Sequence, residues 1–366
     1  MRVLEKFGDV SFLEKVQIWV VLLRLPVILA WKLLISPFSE YTRHKTWRQV
    51  LGAAAYRACV LSIPQMQYIH GQRQTIECYK QWSAKRGLPV NIENAGGEDA
   101  KMLWVGEKRT DRVIYYLHGG GYALPLADYG LSFWRYVQEQ LGKRGLETGV
   151  VVLKYALIPD APFPTVLRQA VRGLQHLIDS GVHPDNIQLV GDSAGGNLIL
   201  QLLSHLLHPL PDVPTLTRDN IKLKGACLVS PWVSFRDEDH THILHDSTDI
   251  IRVRSILEFG EYALRDVQES QMHYIELIQA PESWWSGLDS KVDRVLLTAG
   301  GAECFKEDIV KMEKSIGRHH GGVTLLIQEH GVHVEPYVDF LVGERKLVAI
   351  TSDIVDWISA GFLAAN

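Results

Sequence analysis

The sequence predicts an α/β fold, a mostly parallel sheet with helices on both faces and a helical lid. Three observations carry that expectation. From about residue 100, short apolar runs alternate with longer segments of helical period. Two glycine-rich strings, His118-Gly119-Gly120-Gly121-Tyr122 and Gly191-Asp192-Ser193-Ala194-Gly195-Gly196, each follow one of those runs directly. The chain's 366 residues, 46% of them hydrophobic, suit one large core with an appended lid better than two equal domains.

The expected strands are 113–117, 150–154, 187–190, 223–229, 294–298 and 324–328. Helices are expected between and after them at 132–143, 165–179, 196–207, 306–316 and 346–360. Right-handed β-α-β crossovers make such a sheet parallel, and ligands then bind at the carboxyl ends of its strands, where both glycine strings fall. Residues 1–95 form the expected N-terminal helical lid or anchor region, with helices at 47–60 and 72–86, and residues 96–366 the α/β domain. Two stretches break the alternation. Residues 155–164 are dense in proline, and 237–291 form a long insertion rich in histidine and aromatics, including Trp284-Trp285. An insertion of that length is functional or folded in its own right, here as a lid.

Residues 16–35 are strongly apolar yet carry Gln17, Arg24 and Lys32, with Pro26 near the middle. The pieces 16–23 and 25–31 are each too short to cross a bilayer, and a central arginine costs ~2.5–3.5 kcal/mol on insertion scales. Three readings stay open: a helix lying in a membrane surface, a spanning anchor, or a lid over the active site. The apolar stretch starts late and no small-residue cleavage site follows, unlike a secretory signal. No Asn-x-Ser/Thr sequon occurs. A cytoplasmic or membrane-associated protein on the cytosolic face, not a secreted one, is expected. A net charge of −4 without a basic cluster argues against a nucleic-acid partner. The four cysteines lack metal-ligand spacing and read as reduced thiols. No metal or organic cofactor is expected.

The second glycine string fits Gly-x-Ser-x-Gly, which seats a serine on a strained strand-to-helix turn with its hydroxyl exposed. The first supplies backbone N–H groups from a loop only glycine forms so tightly. Both could be ordinary βα turns of a nucleotide-binding sheet, but neither has phosphate-loop spacing. Ser193 is therefore the candidate nucleophile. A serine needs a histidine base and an acid to orient it, in the chain order Ser, acid, His. After 294–298 comes Glu303 at the strand end, with Glu307 and Asp308 a turn into the next helix; Glu303 is favoured. After 324–328 come His330 and His333; His333, beyond a glycine and before a proline turn, is favoured as base. Tyr122 is the candidate substrate-binding side chain.

With Tyr155 to Pro164 and Ser230-Pro231-Trp232 added, these strings resemble the α/β-hydrolase-3 group, the hormone-sensitive-lipase-like esterases, in a form similar to fungal members. The resemblance covers roughly residues 100–345 and implies an α/β-hydrolase fold. Family members carry an acid at the position of Glu303, more often aspartate. Their base lies in a His-Gly-Phe string that His333-Val334-Glu335 matches only at its histidine. The resemblance further implies that Gly120, Gly121 and Ala194 donate oxyanion N–H groups while Gly119 shapes the loop, so Gly119, Gly120, Gly121 and Ala194 make up the candidate oxyanion hole. Asp192 braces the elbow. The expected activity is hydrolysis of a small-molecule carboxylic ester, lipophilic or of secondary metabolism, through an acyl-enzyme. An acyltransferase with the same triad, or a non-catalytic receptor on this scaffold, are the alternatives.

Overall fold

A computed structural model describes residues 10–59, 74–97, 100–158, 160–218 and 220–364. The expected helix ends at 60 and 72–73 lie outside them. Eight strands form one sheet: β1 (Val90–Asn94), β2 (Lys101–Val105), β3 (Val113–Leu117), β4 (Gly149–Lys154), β5 (Ile187–Asp192), β6 (Gly225–Val229), β7 (Val295–Gly300) and β8 (Val323–Gln328). Their spatial order is β1-β2-β4-β3-β5-β6-β7-β8. Strand β2 runs antiparallel to both neighbours, and β4 through β8 pair in parallel. The expected α/β-hydrolase architecture is the one that forms. Strands β3, β5, β6 and β7 are buried along their whole length, which is why they read as continuous apolar runs.

Strands β1 and β2 escape the sequence pattern. Both are five residues long and lie where no βα alternation announces them; β2 becomes a strand by pairing with β1 on one side and β4 on the other. The sheet therefore starts at Val90, ahead of the expected boundary at 95/96.

Alternate residues of the central strands feed two cores. One holds Tyr115, Leu117 and Leu189 with α5 (Thr165–Asp179), α6 (Ala194–Leu207) and α8 (Lys306–Gly317). The other holds Ile114, Tyr116 and Val190 with α3 (Thr75–Lys85), α4 (Asp128–Lys143) and α9 (Ala349–Leu363). Helix α6, buried from Ala194 to His205, runs from the elbow through the middle of the molecule.

The N-terminal region divides. Helix α1 (Phe12–Ile35) opens on a Ser11–Glu14 capping box, runs through Pro26 without a break and buries none of its residues. The two apolar pieces are thus one helix, in which Pro26 removes one i→i−4 hydrogen bond. Helix α2 (Trp47–Cys59) instead docks on the sheet domain, through Gln49 to Asp339 (2.7 Å) and Arg48 to the Gly343 carbonyl (2.8 Å).

The insertion supplies one long helix, α7 (Val253–Leu264), and several short turns. Its tryptophans serve packing. Trp285 is fully buried, and Trp284 lies against His208 and donates to Ser204 Oγ on α6 (3.0 Å).

Candidate active site

The turn between β5 and α6 holds Ser193 at φ 51°, ψ −119°. A side chain in that region costs of order 1–3 kcal/mol and persists only where neighbours fix it. Here Ser193 N–H donates to Val229 O (3.0 Å), while its carbonyl accepts from Trp232 N (3.0 Å) and Asn197 N (3.1 Å). The turn also demands glycine: a Cβ on Gly195 would lie 1.9 Å from Leu117 O. The end of β3 and the start of α6 are therefore in backbone contact, locking the two glycine strings together.

His333 follows β8, and its imidazole is buried. Its Nδ1 faces Glu303 Oε1 at 3.7 Å, an ion-pair separation that a few tenths of an ångström convert to a hydrogen bond. Glu303, fully buried after β7, is fixed through Oε2, which accepts from Ser230 Oγ and Gly300 N, both at 2.6 Å. Ser230 Oγ in turn accepts from Val334 N (3.1 Å), tying the acid's support to the base's loop. Phe305 meets the His333 ring edge-on at 5.0 Å. Burial pulls the His333 pKa down, but the neighbouring Glu303 carboxylate, then the charges of Asp249 and Asp192, outweigh it and hold it above 6.5.

Gly119 departs from its expected place in the oxyanion hole. Its N–H donates to Asp192 Oδ1 (3.1 Å), and a Cβ there would meet Asp192 Oδ2 at 2.3 Å. Asp192 also accepts from Tyr116 OH (2.7 Å), and burial raises its pKa to about 6. The loop is thus braced by a carboxylate, while the N–H groups of Gly120, Gly121 and Ala194 meet no acceptor among the described residues.

Tyr122 likewise departs from its expected substrate contact. Its ring turns into the core, donating to Asn197 Oδ1 (2.7 Å) and accepting from Gln201 Nε2 (2.9 Å), both on α6. Of the other groups weighed, His330 stacks on His44 at 5.5 Å, outside the cavity. Glu307 pairs with Lys306 at 3.1 Å and Asp308 with His242 at 2.8 Å.

A cavity of about 280 Å³ gathers Ser193, His333, Asp192 and the three loop glycines. Its walls are largely apolar: Leu124, Leu126, Ile251, Ile256, Phe259 and Phe305, with Tyr56 from α2 and Tyr129 from α4. None of α1 reaches it, so the lid reading of residues 16–35 loses its contact; the covering comes from α7 and Tyr56. Two supports were not readable as such beforehand. Ser230 stood within a recognised string but without a role, and Asp249 in the insertion carried no local signal.

Asp237, His242 and Asp308 form a second buried cluster. Asp308 lies 2.8 Å from His242 Nε2, and Asp237 lies 3.7 Å from Nδ1, the opposite ring nitrogen. The His242 ring lies between Asp237 of the insertion and Asp308 of α8.

A profile of a family described as steryl acetyl hydrolase matches residues 90–350. An acetyl-hydrolase of Streptomyces hygroscopicus is 30% identical over 149 residues, 40% of this chain and 45% of that protein. Arylacetamide deacetylase of Bos taurus is 30% identical over 192 residues, 47% of this chain and 44% of that protein. The aligned part is thus less than half the length of these relatives. Among solved structures, an esterase of the bacterial hormone-sensitive lipase family superposes with a TM-score of 0.63 at 19% identity, covering 86% of this chain and 97% of its own. Carboxyl esterase 2 of Tuber melanosporum gives 0.60 at 16% identity, covering 75% and 87%. The profile spans the whole sheet, from β1 through β8, and both glycine strings within it; the chain belongs to the steryl acetyl hydrolase family.

Proposed function

We propose that the protein hydrolyses acetyl esters of bulky apolar alcohols through an acetyl-enzyme on Ser193. The observation that carries this reading is the gathering of Ser193, His333 and the loop glycines around one apolar cavity, with Glu303 beside His333. The family's description and the acetyl-hydrolase relative support acetate as the acyl group.

In this mechanism Ser193 Oγ attacks the carbonyl carbon as its proton passes to His333 Nε2. Glu303 holds Nδ1–H and stabilises the imidazolium. The oxyanion accepts from Gly120, Gly121 and Ala194, each donor contributing on the order of 3 kcal/mol to the barrier. Collapse breaks the bond to the alcohol oxygen, which takes the proton from His333. Water then adds to the acetyl-enzyme by the reverse proton path and releases acetate.

The cavity volume lies near the lower end of small-molecule sites, so it encloses a short acyl group and part of a larger alcohol. In a series of p-nitrophenyl esters, kcat/KM is expected to fall by at least about tenfold from acetate to octanoate. A sterol acetate is expected to release acetate. Faster turnover of octanoate, or no turnover of any acetate, overturns the reading.

We also propose that α1 seats the protein in a bilayer. Its 24 residues measure about 36 Å, against a hydrocarbon core of about 30 Å, and Trp19, Leu23, Val27, Trp31 and Leu34 are all exposed. Deleting residues 1–40 is expected to move the protein to the soluble fraction while kcat/KM for p-nitrophenyl acetate is kept. Resistance of the full chain to carbonate extraction marks a spanning helix; release marks a surface one. A deletion variant that stays in the membrane pellet overturns the proposal.

A further inference from the structure

The buried carboxylate of Asp249 joins the two loops that carry the acid and the base. Its Oδ2 accepts from Cys304 N–H, the residue after Glu303, at 2.8 Å. Its Oδ1 accepts from the N–H of His333 itself at 2.8 Å and from Ile250 N–H at 2.7 Å. Beside it, Thr248 Oγ1 donates to Ala302 O (3.0 Å), on the other side of Glu303. A short strap of the insertion thus fixes both loops at once. It adds to the ties the loops already share, Ala302 N–H to Gly331 O (2.7 Å) and Ser230 Oγ between Glu303 and Val334, a hold on the N–H of His333 itself.

The strap is itself held from α2. Arg57 Nη1 donates to the carbonyls of Asp249 (2.8 Å) and Ile251, and Nη2 to that of Asp246. At the other end of the same segment, Lys45 Nζ pairs with Glu335 Oε2 at 2.8 Å, and that oxygen accepts from Val332 N–H at 2.6 Å. The base's loop is therefore gripped at Val332 by the Glu335 carboxylate, which Lys45 pairs, and at His333 by the Asp249 carboxylate, whose main-chain carbonyl Arg57 holds.

We propose that Asp249 is a positioning residue of the triad and that α2, through Arg57, sets it, which makes the second N-terminal helix a working part of the catalytic site. The proposal rests on the hydrolase reading above. Its physical logic is that a loop displaced by an ångström forfeits reaction geometry while leaving the substrate cavity in place. The loss then falls on kcat.

Asp249→Asn keeps the shape but turns one acceptor into a donor facing an N–H. It is expected to lower kcat for p-nitrophenyl acetate by about 10²-fold with KM within about threefold. The charged groups facing His333 are Glu303, Asp249 and Asp192, against the apolar edge of Phe305. Removing one negative charge also lowers the His333 pKa, so the acid limb of kcat/KM is expected to move to lower pH. Arg57→Ala is expected to lower kcat by about tenfold at unchanged KM, and Arg57→Lys to recover part of it. Circular dichroism and melting temperature report folding in each case. If Asp249→Asn does not fold, the Arg57 pair decides. Wild-type kcat in Arg57→Ala, or in folded Asp249→Asn with an unmoved pH limb, overturns the proposal. Absence of fluorophosphonate labelling and of turnover in the unmodified protein instead removes the hydrolase reading, and this one with it.

Discussion

Ser193→Ala is expected to lower kcat by about 10⁶-fold and to abolish labelling by a fluorophosphonate probe. The magnitude follows from the chemistry assigned to one oxygen: without it there is no covalent intermediate, and what remains is binding and the oxyanion donors. The hydroxyl does not cap α6, so its loss should leave stability within about 1 kcal/mol and the melting curve nearly unmoved. Retention of the fold thus separates loss of chemistry from loss of structure. Full activity in the variant, or labelling at another serine, removes Ser193 as nucleophile.

His333→Ala is expected to be almost as damaging, about 10⁵–10⁶-fold in kcat, whereas His330→Ala should stay within about threefold of the unmodified protein. The two imidazoles are three residues apart but differ in surroundings. His333 is buried against Glu303, while His330 stacks on His44 outside the cavity. Glu303→Gln should cost less than His333→Ala, because the carboxylate orients and stabilises without exchanging a proton. The base must be neutral to act, and its pKa is raised. Activity should therefore rise with pH through a limb above 6.5. A dead His330 variant, or an acid limb well below 6.5, overturns the assignment.

The parts of the architecture legible in the sequence are those whose signal is local. A strand buried on both faces writes itself as an unbroken apolar run, as β3 and β5 do, and a glycine string beside it marks backbone that no Cβ can enter. Ser193 stood out on those grounds, and Glu303 and His333 because strand ends limit where partners can be. Other features are decided at long range. Tyr122 closes the first glycine string, yet its direction is set by Asn197 and Gln201, 75 and 79 residues later. Asp249 is unremarkable until folding brings Cys304 and His333 to it, 55 and 84 residues away. Strands β1 and β2, no shorter than β3, pair antiparallel outside the βα alternation, so no local pattern announces them.

The backbone contact between Leu117 and Gly195 has a consequence for remodelling selectivity. It makes the Ser193 turn and the 118–122 loop one rigid body with no slack for side-chain variation, since a methyl group at Gly195, Gly119 or Gly191 meets backbone or carboxylate oxygens within 2.6 Å. The opposite wall is made of side-chain tips from α7, α4 and α2: Ile256, Phe259, Tyr129 and Tyr56. A combinatorial library should leave the glycine strings untouched and randomise that wall, where new pocket shapes can be sampled without re-solving the Ser193 turn.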